Sequence, residues 1–383
     1  MSKIFDLFII GGGINGAGIA RDAAGRGLSV CLADKGEIGG ATSSWSTKLI
    51  HGGLRYLENY EFKLVRESLK EREIVYKIAK PISKPLPFII PYVDKIRPAW
   101  LIKIGLFLYD NLGGKSNIPK SKTLNLRKNF PNILQEKYKI GFQYFDIQID
   151  DKELTKLNVK DAKRNKAKIL EYNKVKKAEI VDNKWIIHLQ NGKKIASKVL
   201  INASGPWINE TLKKNIKFKS NKKIRLVKGS HIITKKLYKE DVAFTFQNND
   251  KRIIFVIPYK EKFSLIGTTE VEVKSPENKE ISKIEIKYLI NSVNNYLKKK
   301  ISTKDIVDTY SGIRPLIEDF NTATKVTRDY VFDLNIIKDL PLLNIYGGKL
   351  TTYRKLSEKV LLDLKEYLPN TKKGPWTDKK KLL

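Results

Sequence analysis

The first 34 residues read, in order, as strand, glycine turn, helix, strand and acid, the succession that a βαβ nucleotide-binding unit requires. Leu7-Phe8-Ile9-Ile10 is an apolar run that leads into Gly11-Gly12-Gly13-Ile14-Asn15-Gly16. Small residues at Gly18, Ala20, Ala23 and Ala24 suit a helix packed on a sheet, and a second apolar run, Leu28-Ser29-Val30-Cys31-Leu32-Ala33, ends on Asp34. Gly11 permits the tight turn, Gly13 lets the backbone approach a pyrophosphate, and Gly16 brings helix and sheet together. The helix N-terminus offers N–H groups and partial positive charge to phosphates. Asp34 is placed to accept from a ribose diol and would repel the 2′-phosphate of NADP. The fingerprint by itself leaves FAD and NAD open.

Composition narrows the class. At 383 residues and 41% hydrophobic, the chain is long enough for two domains or one large α/β unit. No apolar run reaches the ~18 residues of a membrane-spanning helix. The apolar N-terminus is interrupted by Asp6 and runs into glycines instead of a cleavage site. No signal peptide is therefore expected, and the chain is expected to begin in the cytoplasm. Cys31 is the sole cysteine, so no internal disulfide forms, and a buried, inert thiol is expected. His51, His188 and His231 lie far apart without a Cys/His/Asp cluster of ligand spacing, so no metal is expected. The net charge of +33 is mostly dispersed lysine, with no RNP-type motif, zinc finger or basic heptad array. Nucleic acid is thus not an expected partner; an anionic lipid surface or anionic substrate fits better.

Residues 39–56 are rich in small and hydroxyl side chains, as suits close approach to a flat ligand. The spacing predicts a helix over 62–79 ended by Pro81, then a strand over 86–92. Residues 97–114 are mostly apolar. A helix over 151–168 is followed by strands at 179–181 and 185–190 around an Asp182-Asn183 turn. A strand at 198–202 leads into Ala203-Ser204-Gly205-Pro206-Trp207. Residues 224–266 are β-rich, with strands at 224–227, 231–234, 243–246, 253–258 and 263–266, and a helix is predicted over 283–299. Gly312 and Pro315 mark a turn, a strand is predicted at 343–346, and Gly347-Gly348-Lys349 opens a closing helix to 368. The tail, 371–383, is charged and expected to fray, and no internal repeat is present.

With these segments placed, the chain resembles the aerobic, respiratory FAD-dependent glycerol-3-phosphate dehydrogenases. The matching stretches are IIGGGINGAGIARDAAGRGLSV, KLIHGGLRYLENYEFKLVRESLKERE, RPAWLIKIGLFLYD, ASGPW, RLVKGSHI, RIIFVIPY, IGTTE, YSGIRPL and YGGKLTTYRKL, in the family's order over nearly the whole chain. Departures are small within these stretches, such as Glu270 where the family typically has Asp and Ser204 where it often has Thr. The sequence ends soon after Gly374-Pro375-Trp376-Thr377, before the further helical C-terminal region that members usually carry, so a short form is expected. That region is associated with dimer contacts, which leaves a homodimer open.

The resemblance implies an α/β fold like that of the D-amino-acid oxidases. A discontinuous Rossmann-like FAD-binding domain (1–80, 150–215 and 305–370) would interleave with an antiparallel-sheet substrate domain (81–149 and 216–304). It implies oxidation of sn-glycerol 3-phosphate to dihydroxyacetone phosphate by hydride transfer to flavin N5, with electrons passing to a quinone. It places FAD along Gly11, Gly13, Asn15, Gly16 and Asp34, then Thr42, Ser43, Ser44, Lys48, Leu49, His51 and Gly52. Ser204 and Gly205 would cross near the adenine and pyrophosphate. Gly312, Gly348, Leu350, Thr351 and Thr352 would meet the cofactor from the far end of the chain, the two threonines alternatively capping the last helix.

Secondary-alcohol oxidation needs a hydride acceptor, a base for the hydroxyl proton and a grip on the phosphate. The flavin supplies the first, so the protein's share is positioning and electrostatics. Arg55 carries a planar fork suited to the phosphate, the alternative being a surface ion pair. Tyr56 is a donor to substrate or a core tyrosine. Arg314 has too high a pKa for a base, so it binds substrate oxygen or stabilises the developing alkoxide. His231 is the better base on pKa grounds, with a satisfied core histidine as the alternative. His51 lies near the flavin or shapes its loop, and His188 has no role. Lys349, at the predicted helix start, would reach the phosphate or the reduced flavin. The catalytic set is thus His231, Arg314 and Lys349, and the substrate set is Arg55, Tyr56, Arg314 and Lys349.

The 97–109 stretch is the expected membrane contact, with Trp100, Lys103 and Arg97 at its edges, or else a buried core helix. The expected location is the inner face of the cytoplasmic membrane, peripherally bound. An oxidase using O2 is the rival within the enzyme class, and a related amine oxidase fits Arg55, Arg314 and Lys349 less well. A non-catalytic flavoprotein scaffold is the rival outside it.

Overall fold

The structure is a computed structural model that describes residues 3–94, 96–317, 330–371 and 373–382. The chain runs β1 (Ile4–Ile10), α1 (Ile14–Gly25), β2 (Val30–Ala33), β3 (Leu49–Ile50), α2 (Phe62–Ile78), β4 (Ser83–Pro91) and α3 (Ala99–Asn111). Next come β5 (Lys122–Asn125), α4 (Leu126–Asn129), β6 (Ile140–Ile149), α5 (Asp151–Arg164), β7 (Lys168–Leu170), β8 (Val175–Val181), β9 (Lys184–Leu189) and β10 (Lys194–Asn202). The remainder is α6 (Ile208–Glu210), β11 (Ile224–Lys235), β12 (Ala243–Gln247), β13 (Ile253–Tyr259), β14 (Phe263–Gly267) and β15 (Val271–Val273). It closes with α7 (Lys283–Asn294), β16 (Ile306–Ile317), β17 (Val331–Ile337), β18 (Leu340–Tyr346) and α8 (Tyr353–Asp363).

Two sheets result. In the first, β18, β10, β1, β2 and β7 lie parallel in that order, with β17 antiparallel on the outside of β18 and the β8–β9 hairpin joined to β10. Its central strands are covered on both faces and so read as continuous apolar runs, Leu7, Phe8 and Ile9 being fully buried. Helix α1 packs between α5 and α8, and every one of its residues but Asn15 is buried, which is why it is built of Gly and Ala. The second sheet runs β15-β11-β14-β13-β12-β4-β6-β3, with β16 on the other side of β11 and β5 beside β6. Among the described residues its pairs are antiparallel apart from β4 beside β12. The expected combination of a Rossmann-like parallel sheet with an antiparallel one is the fold found.

Several boundaries differ from expectation. Helix α5 ends at Arg164 because Lys166 takes φ +68°, and the chain enters β7 beside β2. The strands expected at 224–227 and 231–234 are one strand, β11, held continuous by partners on both sides. Helix α7 stops at Asn294, and Tyr296 and Leu297 turn into the core of this half. Gly312 and Pro315 do not form a turn. They lie inside β16, whose pairing with β11 on one side only leaves room for a proline without an N–H. Although 305–370 was expected with the cofactor half, β16 thus joins the second sheet; residues 318–329 lie outside the described residues.

The tail does not fray. Trp376 stacks on the Arg21 guanidinium at 5.0 Å and donates to Asp22 O at 3.2 Å. Arg21, paired with Asp161 at 2.7 Å, also donates to Lys380 O at 2.8 Å. Leu382 is 1% exposed, its N–H on Ile78 O at 2.8 Å. Lys372 and Leu383 lie outside the described residues.

Candidate active site

The site begins where β1 turns into α1. Gly11 has φ +106°, and a Cβ on it would fall 2.5 Å from Ala203 O. A Cβ on Gly16 would fall 2.0 Å from Gly11 O, so both positions need glycine. A cleft opens at this turn, lined by Gly11, Gly13 and Asp34 from the fingerprint. Thr42 and Ser43 line it from the next loop, and Ser204 and Gly205 from the end of β10. Asp34 Oδ2 accepts from Gly12 N at 2.6 Å and Oδ1 from Gly36 N at 2.8 Å, and each oxygen keeps a lone pair for a further donor. Trp207 stands at the same cleft, donating to Glu277 at 2.7 Å with Lys35 Nζ 3.6 Å over its ring.

The 42–52 loop links the two sheets. Ser43 Oγ accepts from Ile14 N at 2.9 Å, tying the loop to the start of α1, and Thr42 Oγ1 donates to Ile313 O at 2.8 Å, tying it to β16. Ser44 and Lys48, expected as donors along the cofactor, also bond within the protein. Ser44 Oγ donates to Gly39 O, and Lys48 Nζ binds Asp151 at 2.6 Å. Leu49 is buried in β3 beside Gln148 of β6. Two more bonds hold His51, whose N–H donates to Thr351 Oγ1 while that hydroxyl reaches His51 O, each at 3.2 Å. Gly52 N donates to Tyr109 OH at 2.7 Å, and Tyr109 OH donates to Asp146 at 2.7 Å.

Residues from the other end of the chain close on this loop. Asn15 Nδ2 donates to Gly347 O at 3.1 Å, and a Cβ on Gly348 would fall 2.8 Å from that nitrogen. Helix α8 starts only at Tyr353, so Lys349 sits in the turn before it and not at a helix start. Its ammonium lies 4.3 Å over the Tyr56 ring, in the turn Leu54–Asn59 that also carries Arg55. Thr352 occupies the N-cap but gives no side-chain cap, and Leu350 packs in the core under the loop. Lys349 Nζ, Thr352 Oγ1 and Asn15 Oδ1 are buried without hydrogen-bond partners among the described residues.

Across the loop lie His231 and Arg314. His231 is 2% exposed, stacks on Tyr310 at 4.7 Å, and has Nε2 3.1 Å from Thr47 Oγ1. Its Nδ1 is buried without a partner among the described residues. Burial, with the Arg314 and Lys48 cations nearby, lowers its pKa to about 3. Burial, Lys349 and Arg72 lower His51 to about 4. Arg314 reaches Glu270 at 3.9 Å, and Gly312 passes under Trp45, whose ring meets Tyr310 at 5.3 Å. His188, by contrast, pairs with Glu179 at 2.8 Å, away from the loop. Sequence reasoning missed Thr47, Tyr310 and Tyr109. Thr47 lies in the hydroxyl-rich stretch already singled out, whereas nothing in the local pattern marks a tyrosine that acts across elements.

A glycine-walled cleft with an acid at its edge suits a dinucleotide, and the orphaned polar atoms of Asn15, Lys349 and Thr352 suit a further hydrogen-bonding ligand group. The family model described as DAO, FAD dependent oxidoreductase, matches residues 6–354. The chain belongs to this family. FAD is its cofactor, and this FAD oxidoreductase is an enzyme rather than a scaffold. It is 45% identical over 381 residues to the aerobic glycerol-3-phosphate dehydrogenase of Escherichia coli, covering 97% of this chain and 75% of that protein. It is 44% identical over 380 residues to D-erythritol 1-phosphate dehydrogenase of Brucella abortus, covering 97% and 76%. The structure of the Bacillus halodurans glycerol-3-phosphate dehydrogenase complexed with FAD matches with TM-score 0.76 and 27% identity, over 98% of this chain and 67% of that one. Among the described residues no helix is long and apolar enough to cross a membrane, and no cluster of His, Cys, Asp and Glu is arranged to hold a metal.

Proposed function

We propose that this FAD oxidoreductase converts sn-glycerol 3-phosphate to dihydroxyacetone phosphate and passes the electrons to a quinone at a membrane surface. The observation that carries the substrate is the Lys349 ammonium, buried without a hydrogen-bond acceptor among the described residues, beside the loop that holds His51. Such a cation calls for an anionic ligand, and phosphate esters are what the E. coli and B. abortus relatives are named for.

Bound FAD supplies the acceptor for the hydride that leaves C2. Lys349 and Arg55 hold the phosphate, the latter through paired N–H groups, and Tyr56 orients the Lys349 ammonium. Arg314 faces the substrate oxygen and stabilises negative charge there, while Glu270 holds the guanidinium in place. His231 takes the hydroxyl proton at Nδ1. That assignment puts the ring hydrogen on Nε2, which donates to Thr47 Oγ1. A dianionic phosphate ester nearby raises the pKa of His231 from its low value and makes it a better base.

The outward face of α3 is the docking surface for the acceptor's membrane. Trp100 is 63% exposed and Phe107 66%, with Leu101 and Ile104 between them and Tyr60 and Phe62 also exposed. Lys103 lies on the same helix, and anionic lipid attracts such a cation.

Mixing the yellow holoenzyme anaerobically with glycerol 3-phosphate tests the reaction. Bleaching by glycerol 3-phosphate, but not by glycerol or D-amino acids, is expected; an unbleached flavin that stays bound would sink the assignment. Faster bleaching by D-erythritol 1-phosphate would move the substrate to the four-carbon ester, a reading favoured by the 44% identity to that dehydrogenase. Rapid peroxide formation without quinone would replace the quinone by O2.

A further inference from the structure

Behind the strands that carry His231 and Arg314, one carboxylate gathers polar groups from three segments. Glu285, in the first turn of α7, is 4% exposed. Its Oε1 accepts from Ser230 Oγ and Thr269 Oγ1, each at 2.8 Å. Its Oε2 pairs with Lys228 Nζ at 2.9 Å and accepts from Ser282 N at 2.9 Å. Ser230 Oγ accepts in turn from Ser311 Oγ at 2.8 Å, which brings in β16. Ser230 N also donates to Thr269 Oγ1 at 3.0 Å, and Thr269 N to Ser230 O at 3.2 Å.

The positions of these groups are informative. Side chains alternate along a strand, so Lys228 and Ser230 face α7 while Gly229 and His231 face the site. Ser230 precedes His231, Thr269 precedes Glu270, the acid that meets Arg314, and Ser311 precedes Gly312 in the strand of Arg314. A Cβ on Gly229 would fall 3.1 Å from Arg314 Nη2, so the guanidinium lies directly over the backbone that the cluster fixes. Lys228, Ser230, Thr269 and Ser311 all belong to the stretches that mark the family resemblance, yet none touches the cleft. A set of apolar side chains would pack this interface as well, because buried ion pairs contribute little net stability. Fixing backbone to a fraction of an ångström is what such a cluster adds.

We propose that Glu285 is a positioning residue for the oxidation, acting through Ser230 and Thr269 to hold His231 and the Arg314–Glu270 pair in register with the substrate. This rests on the assignment of His231 and Arg314 to the reaction. Ser230→Ala tests it with the loss of one oxygen. The variant is expected to bind FAD and to melt near the wild type, while the anaerobic flavin-reduction rate at saturating glycerol 3-phosphate falls by about 10- to 100-fold and the apparent substrate affinity changes little. Thr269→Val, which removes the other hydroxyl, is expected to do the same. An unchanged reduction rate per bound flavin in either variant overturns the proposal, as does a fall that merely follows lost FAD. A wild-type flavin that glycerol 3-phosphate fails to reduce overturns the function itself, which separates the two failures.

Discussion

An ammonium buried without an acceptor costs stability in the protein alone and returns it when an anion binds. Lys349 is in that position among the described residues, its ammonium over the Tyr56 ring. Lys349→Met is therefore expected to raise the thermal midpoint of the FAD-free protein while lowering kcat/KM for glycerol 3-phosphate by about 10- to 100-fold, the weight of one charged hydrogen bond. A variant that loses activity and stability together would show the lysine to be structural. The two site histidines set a pH dependence. Their folded pKa values, about 3 for His231 and about 4 for His51, lie below the ordinary 6.5. The fold thus favours the neutral rings, and the stability they contribute is full above pH ~6.5 and drains away as pH falls through the folded values. Asp146 works in the opposite sense, because burial raises it from 3.8 to about 6 despite Arg72 beside it. The FAD-free protein should melt progressively lower between pH 6.5 and 4, with a shallower fall in His231→Asn; equal slopes would show that His231 is not the group.

Helix α3 is ambiguous in sequence, and in the structure it has one face in the core and one face exposed. Its apolar residues permitted either a membrane contact or a buried helix, since composition is the same for both. Leu106 and Tyr109 are buried, and Ala99, Ile102 and Leu108 pack against the same core, while Trp100, Leu101, Ile104 and Phe107 are exposed. Replacing Trp100 and Phe107 with Glu is accordingly expected to release the protein from anionic vesicles without lowering its melting temperature, as sedimentation and calorimetry would show. Binding equal to wild type would place the contact elsewhere. The βαβ unit was legible because its glycines answer to one steric demand each. Strand β17 was not, because its turn uses Lys338 and Asp339 at positive φ with no glycine to mark it. The 311–316 stretch misled for the converse reason: glycine and proline were present, but edge pairing with β11 tolerates both. In the site, residue types that carry charge or protons could be singled out, whereas the partners that aim them, Thr47 for His231 and Asp151 for Lys48, depend on contacts distant in sequence.

At the scale of the whole molecule, the 42–52 loop ties the two sheets through Ser43 to α1 and Thr42 to β16, so both halves share one support. The C-terminal segment adds a tie of its own between α1 and α8, its carbonyl at Lys380 bound by Arg21 and its Thr377 hydroxyl by Arg354 at 3.2 Å. Both close on α1, which lies under the sheet, between two helices and beneath Trp376. A helix enclosed in this way has no surface by which to open on its own. Its amide protons should then trade with deuterium only when the entire fold comes apart, at the free energy of global unfolding, while those of α3 trade through local opening. Mass-resolved exchange of the FAD-free protein would read this directly, and early exchange along α1 would contradict it. The end of α1 that the glycine fingerprint marks out for a pyrophosphate is by the same token set in the protein alone, and a ligand there would have little left to order.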